Sequence, residues 1–211
     1  MEKHKEVRMV TLVIGASGSG KSEYAERCLD HILRNKFYLA TMIASDSESR
    51  EKVRKHQERR QGRHFQTVEC PKGLDRIAEE LPENCAILLE GIGTLAANEL
   101  FREDATPIDE VKAEESEKSE KRDCIESKVE TAKNLILKSI DMIASRAQEL
   151  VIVSDEVNRA GCEYEGDTKR YQRLVGELNQ ELCAQADRVV EMVCGCPVER
   201  KIRQESDENF F

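Results

Sequence analysis

The chain has 211 residues, 39% of them hydrophobic, which is enough for one domain with a buried core and short of what two independent domains need. A formal net charge of -9 and a pI near 5.2 argue against a nucleic-acid backbone as partner, because binding one depends on displacing counterions with Lys and Arg. No stretch reaches the roughly 20 apolar residues that cross a bilayer, and the opening MEKHKEVRMVTLVIG lacks the apolar region and cleavage site of a secretory signal, so a cytoplasmic protein without a membrane span is expected.

Eight cysteines are scattered through strand-like and helix-like segments, Cys28, Cys85 and Cys183 among them, and read as reduced thiols. Cys194 and Cys196 have no second Cys or His pair at zinc-site spacing, so the expectation is burial in a terminal strand.

In chain order, residues 1–8 read as an extension and Val10–Ile14 as the first strand. Gly15–Ser22 follow as GASGSGKS, the G-x-x-x-x-G-K-[ST] pattern, and lead into the helical segment SEYAERCLDHIL. Glycines at this junction let backbone N–H groups turn inward, where they and the helix N-terminus meet phosphate oxygens. Lys21 then reaches the β- and γ-phosphates, and the Ser22 hydroxyl ligates Mg²⁺. The purine triphosphates ATP and GTP are the expected ligands.

Phe37–Ala40 reads as the second strand. Beyond it, SESREKVRKHQERRQGR has Val53 as its one strongly apolar residue, so a helix here would be washed by solvent on nearly every side. Two readings stand: a charged surface helix, or a phosphate-binding cluster of His56 with Arg54, Arg59, Arg60 and Arg63. A neutral imidazole is a competent nucleophile toward phosphorus.

The run Ala86–Leu89 reads as a strand closed by Glu90, and Leu150–Val153 as another, followed by Asp155 and Glu156. Such strand ends are where open α/β sheets place the carboxylate a P-loop enzyme needs beside its metal. Between these strands, residues 102–122 form a charged insertion before a helix starting near Asp123, with Ile125, Val129, Ala132, Ile136, Ile140 and Ile143 on one face. Tyr171, Leu174, Val175, Leu178 and Leu182 make a second such stripe. Val189–Val193 reads as the last strand, and 202–211 as a flexible tail. Strands alternating with helices over 1–211 predict a single α/β domain, a mainly parallel sheet with helices on both faces.

These blocks resemble one family, the bifunctional adenosylcobinamide kinase / adenosylcobinamide-phosphate guanylyltransferases of cobalamin nucleotide-loop assembly. The likeness runs from Val10 to Lys201 and rests on the P-loop, FYLAT at Phe37–Thr41, the His56 segment, TVECP at Thr67–Pro71, ILLEGIGTLAANELF at Ile87–Phe101, VSDEV at Val153–Val157 and RYQRLVGELNQELCAQAD at Arg170–Asp187. Its order of blocks is more specific than any single block. The resemblance implies a RecA-like P-loop NTPase fold, an oligomer, commonly a trimer, and two reactions. One moves the γ-phosphoryl group of ATP or GTP to the aminopropanol hydroxyl of adenosylcobinamide. The other attaches GMP from GTP to adenosylcobinamide phosphate through a guanylylated histidine.

By position the resemblance makes His56 the guanylylated residue. It makes nucleotide contacts of Gly15, Ala16, Ser17, Gly18, Ser19, Gly20, Lys21, Ser22, Thr41, Met42, Ile43, Gln57, Glu58, Arg59, Arg60, Glu69 and Glu90. Ser22 and Glu90 are the expected Mg²⁺ ligands, and Glu90 or Glu156 the carboxylate that orients or deprotonates the acceptor hydroxyl. The sequence departs from the family pattern at Gly18, where an Arg is usual, at NRAGCEYEG after VSDEV, at Arg60-Gln61 in place of Arg-Pro, and at Phe65 in place of a Trp. A P-loop kinase or NTPase with another substrate, and a scaffold that only binds GTP, are the competing readings.

Overall fold

A computed structural model of the protein describes residues 8–33, 35–43, 50–51, 53–54, 57–58, 60–101, 117–157 and 164–202, with backbone alone for 117–126. The five apolar runs all lie in one seven-stranded sheet, made of β1 (Met9–Gly15), β2 (Lys36–Ala40), β3 (Phe65–Glu69), β4 (Cys85–Glu90), β5 (Ala147–Asp155), β6 (Arg188–Val193) and β7 (Cys196–Ile202). Five helices are described: α1 (Lys21–Cys28), α2 (Leu74–Glu80), α3 (Ile92–Leu100), α4 (Glu117–Arg146) and α5 (Gly166–Gln185).

The strand order is β3-β2-β4-β5-β1-β6-β7, with every neighbouring pair parallel except β6 and β7. One strand, β5, separates β1, which leads into the P-loop, from β4, which ends in Glu90. That is the RecA-like arrangement. Because β1, β2, β4 and β5 run the same way, their carboxyl ends open on one edge of the sheet, where ligands of open α/β sheets collect.

Alternation along the strands divides the core in two. Leu12, Ile87, Leu89, Leu150, Ile152 and Val189 face one side and pack with residues of α2, α3, α4 and α5. Val13, Leu88, Val151, Val153 and Val190 face the other and pack with Ala25 of α1 and with Leu29 just beyond it. Both predicted stripes lie in the larger half: Val129, Ala132, Ile136, Ile140 and Ile143 from α4, and Leu174, Val175, Leu178 and Leu182 from α5, with Tyr171 half-buried beside them. The side chain of Ile125 lies outside the described residues.

Three differences from the sequence reading have physical causes. Helix α4 begins at Glu117 and so takes in the end of the charged stretch; its missing apolar periodicity there concealed it. The strands β3 and β7 sit at the two edges of the sheet with mostly exposed side chains, and neither carries the apolar run that marks a strand in sequence. Cys194 and Cys196 are exposed, not buried: Cys194 and Gly195 form the β6–β7 turn, with φ 50° and 84°, and Cys196 opens the edge strand β7. Residues 1–7, 102–116 and 203–211, which hold most of the expected extension, insertion and tail, lie outside the described residues.

Candidate nucleotide site

The P-loop joins β1 to α1 through Gly18 and Gly20, at φ 73° and 90°, a backbone region that disfavours other side chains. Gly20 caps α1 with no side-chain hydrogen bond, so the helix enters the site with first-turn N–H groups that no side-chain cap satisfies. A cavity of about 730 Å³ opens in front of it, lined by the loop, by the ends of β2, β4 and β5, and by Val53, Gln57 and Arg60 from the basic segment.

Lys21 is buried, and its Nζ donates to Ala16 O at 2.7 Å and lies 3.0 Å from Asp155 Oδ1. The Ser22 hydroxyl donates to Glu90 Oε1, and the other carboxylate oxygen accepts from the Tyr38 hydroxyl at 2.5 Å. Burial, then the nearby charge of Glu90, pushes the Tyr38 phenol well above its ordinary range, so it stays a donor. Thr41, nearly fully buried, ties the ends of β2 and β4 together: its hydroxyl lies 2.9 Å from the carbonyls of both Glu90 and Gly91. Asn98 of α3 then donates to Thr41 O and Pro71 O.

Two buried polar atoms on cavity-lining residues, Ser19 Oγ and Arg60 Nη1, have no hydrogen-bond partner among the described residues. Buried polar groups are almost always paired, and these two flank a space large enough for a nucleotide. Their missing partners fit phosphate oxygens. A divalent cation is also accommodated: Ser22 Oγ and Glu90 Oε1 converge on one point, and oxygen ligands in small number are what Mg²⁺ takes when phosphates and water complete its shell.

Of the residues read from sequence, Ser17, Gly18, Ser19, Gly20, Lys21, Ser22, Thr41, Met42, Ile43, Gln57, Arg60, Glu69 and Glu90 line this cavity. Gly15, Ala16, Glu58 and Glu156 do not. An added Cβ at Gly15 would lie 2.7 Å from Met192 O, so its role is close packing of β1 on β6. His56 and Arg59 lie outside the described residues. The basic cluster is partly spent elsewhere: Arg54 pairs with Glu51 and Glu58 along its own helical turn, and Arg63 binds Asp30 at 2.8 Å, leaving Arg60 as the described arginine in the cavity.

Sequence reasoning passed over Tyr38 and Thr94 and set Asp155 aside for Glu156. Strand alternation held the signal for Asp155: Val153 and Asp155 share the cavity face of β5, while Ser154 faces the other way and donates to Asn179 Oδ1 at 2.6 Å. Register adds to it, since Asp155 lies directly opposite Gly15. Asn179 donates in turn to Asp155 O at 3.1 Å, and Tyr171 leans toward the same carboxylate, its phenol raised by burial and then by the Asp155 charge.

A parallel sheet of this order, with a P-loop, a strand-end carboxylate on the P-loop serine and a cavity between them, defines a P-loop nucleotide-binding protein of the RecA-like class. Residues 11–200 match the CobU family model, described as cobinamide kinase / cobinamide phosphate guanyltransferase. The chain belongs to that family, and with it to the kinases and nucleotidyltransferases. It is 27% identical over 194 residues to the bifunctional adenosylcobalamin biosynthesis protein CobU of Salmonella typhimurium, covering 92% of this chain and 100% of the relative. The protein of the same description from Escherichia coli is 27% identical over 197 residues, with the same shares. Among solved structures, a KaiC-like protein from Pyrococcus horikoshii aligns over 94% of this chain and 81% of its own at 9% identity, with a TM-score of 0.43. No helix among the described residues is long and apolar enough to cross a membrane.

Proposed function

We propose that the protein phosphorylates adenosylcobinamide with ATP or GTP and then transfers GMP from GTP to adenosylcobinamide phosphate, with His56 carrying the guanylyl group in between. The pair of orphaned buried atoms, Ser19 Oγ and Arg60 Nη1, on residues that line one cavity with Lys21, is the observation that supports a triphosphate there. Membership of the family supports the corrinoid substrate and the two reactions.

In the kinase step Lys21 exchanges Ala16 O and Asp155 for phosphate oxygens, while the P-loop amides hold the remaining oxygens in place. Ser22 and Glu90 would hold Mg²⁺, which would neutralise charge on the phosphates. The acceptor hydroxyl oxygen bonds to the γ-phosphorus as the bond to the bridging oxygen breaks, and the hydroxyl proton passes to a carboxylate. Glu90 is held by Ser22 and Tyr38, and Glu156 lies off the cavity. Asp155, released as Lys21 turns to the nucleotide, is the carboxylate best placed to take that proton.

In the transferase step a neutral ring nitrogen of His56 attacks the α-phosphorus of GTP and pyrophosphate leaves. A phosphate oxygen of adenosylcobinamide phosphate then attacks the same phosphorus and frees the histidine. Arg60 neutralises charge at that phosphorus, with Thr41, Met42, Ile43, Gln57 and Glu69 around the nucleotide. The functional unit is a homo-oligomer, a trimer as the resemblance implies, acting in the cytoplasm.

Incubation with α-labelled GTP and Mg²⁺ tests this reading. The expected result is an acid-labile, alkali-stable label on the protein that His56→Ala abolishes and that adenosylcobinamide phosphate removes. Turnover of γ-phosphate without any label or corrinoid requirement points to a kinase or NTPase of another substrate. Tight GTP binding with neither points to a scaffold.

A further inference from the structure

Tyr38 enters no step above, yet it touches both halves of the site. It is 4% exposed and lies on the α1 side of β2, opposite Leu88 of β4. Glu90 follows Leu88 by two residues and therefore presents its side chain on the same face, within reach of a long aromatic neighbour. The phenol hydroxyl donates to Glu90 Oε2 at 2.5 Å while Oε1 accepts from Ser22, so the carboxylate is held at both oxygens and cannot turn about its last torsion. On the ring's face, the Arg60 guanidinium carbon stands 3.4 Å from the centroid. Arg60 is 7% exposed, and its Nη1 has no acceptor among the described residues. Stacking on an aromatic face fixes a guanidinium in plane while leaving its N–H groups for a ligand.

We infer that Tyr38 is a positioning residue for both reactions: its hydroxyl fixes the carboxylate that holds the metal, and its ring fixes the arginine that meets the nucleotide phosphates. This rests on the functional reading above and deepens it. The two contacts use different atoms of one side chain, which makes them separable. Tyr38→Phe removes the hydroxyl and keeps the stacking face; Tyr38→Leu removes both.

Groups that orient a metal ligand from behind typically change metal affinity about 10-fold to 100-fold when lost. GTP binding by calorimetry, repeated across a series of Mg²⁺ concentrations, reads this directly. For Tyr38→Phe the Mg²⁺ concentration giving half of the metal-dependent gain in affinity should rise about tenfold. Affinity at saturating Mg²⁺, metal-free GTP binding and labelling by α-labelled GTP at saturating Mg²⁺ should all stay within about twofold of the parent. Tyr38→Leu should show the same Mg²⁺ shift and also lose most of the label at saturating Mg²⁺.

An unchanged Mg²⁺ requirement in Tyr38→Phe overturns the inference and leaves the functional reading intact. So does a uniform loss of GTP affinity at every Mg²⁺ concentration, which is what a merely structural role produces. If the parent protein itself binds GTP no better with Mg²⁺ than without, the functional reading fails at its root. The Phe variant loses one atom from a packed ring and decides the role of the hydroxyl even if the Leu variant does not fold.

Discussion

Lys21 and Asp155 form an ion pair at 3.0 Å across the mouth of the P-loop, with Lys21 buried and Asp155 42% exposed. A triphosphate must take this lysine from the carboxylate, and the same carboxylate repels the incoming phosphates. The variant Asp155→Asn keeps the shape and removes both effects. Triphosphate affinity should therefore rise by about 1 kcal/mol, roughly fivefold in Kd, on the scale of partly exposed ion pairs. The gain should shrink as salt is raised. Phosphoryl transfer to the corrinoid should fall at the same time, because the carboxylate proposed to take the hydroxyl proton is gone. Calorimetry with ATP or GTP at two salt concentrations, beside single-turnover transfer, measures both signs; weaker nucleotide binding in Asp155→Asn would show that the pair does not compete with phosphate.

Gly91 closes the strand that carries Glu90 and has φ 97°. An added Cβ would lie 2.5 Å from Thr41 Oγ1, the atom that ties β2 to β4. The left-handed conformation alone costs another residue about 1–2 kcal/mol, and Thr41, itself buried, cannot withdraw without giving up its bonds to the Glu90 and Gly91 carbonyls. Gly91→Ala should lower stability by about 2 kcal/mol, a drop of roughly 4–8 °C in Tm for a chain of this size. Thermal melts of both proteins give the number, and a Tm within about 1 °C of the parent would show that the strand end adjusts freely.

How far the site was readable in sequence follows from how local each signal is. The P-loop was legible because its function is carried by eight consecutive residues between a strand and a helix. Glu90 was legible as a carboxylate ending an apolar run. Tyr38 was not, since in FYLA it looks like any buried strand aromatic, and its meaning comes from β4 lying beside β2, a pairing that no local pattern encodes. Arg60 was legible by resemblance, whereas the division of labour among the arginines was not: Arg63 is drawn off by Asp30 from a distant turn, and Arg54 by its own helical neighbours. The strand order was equally hidden. Parallel pairing joins segments far apart in the chain, and the alternation of strands and helices fixes the class of sheet without fixing who neighbours whom.

Thiol chemistry should divide the cysteines by position. Cys194 and Cys196 are exposed at the β6–β7 turn, while Cys70 and Cys85 are buried and their thiols are pushed upward, that of Cys70 to about 12, by burial. The thiolate is the reacting form, so a brief pulse of iodoacetamide on the folded, reduced protein at pH 8 should modify Cys194 and Cys196 and spare Cys70 and Cys85. Peptide mass spectrometry reads each site separately. Rapid modification of Cys70 in the native protein would place it at the surface.

The same burial makes stability fall in alkali. The thiols of Cys28, Cys70, Cys85 and Cys183 and the phenols of Tyr24, Tyr38 and Tyr171 are all raised in the folded protein, burial being the leading cause in each. As pH climbs past the ordinary thiol value near 9 and the phenol value near 10, the unfolded chain releases protons that the folded chain keeps. Proton release then favours unfolding, so the stability is fully present below about pH 9 and declines above it, by at most about 1.4 kcal/mol per pH unit for each such group. Lys36 acts in the opposite sense, because burial lowers its value and the folded state releases its proton first. Lys36 against seven raised thiols and phenols leaves the net slope downward. Urea melts in reductant between pH 8 and pH 11 should show that decline, and Cys70→Ala, whatever it does to stability at pH 8, should make the slope shallower; a slope identical in the two proteins would mean that Cys70 ionises alike in both states.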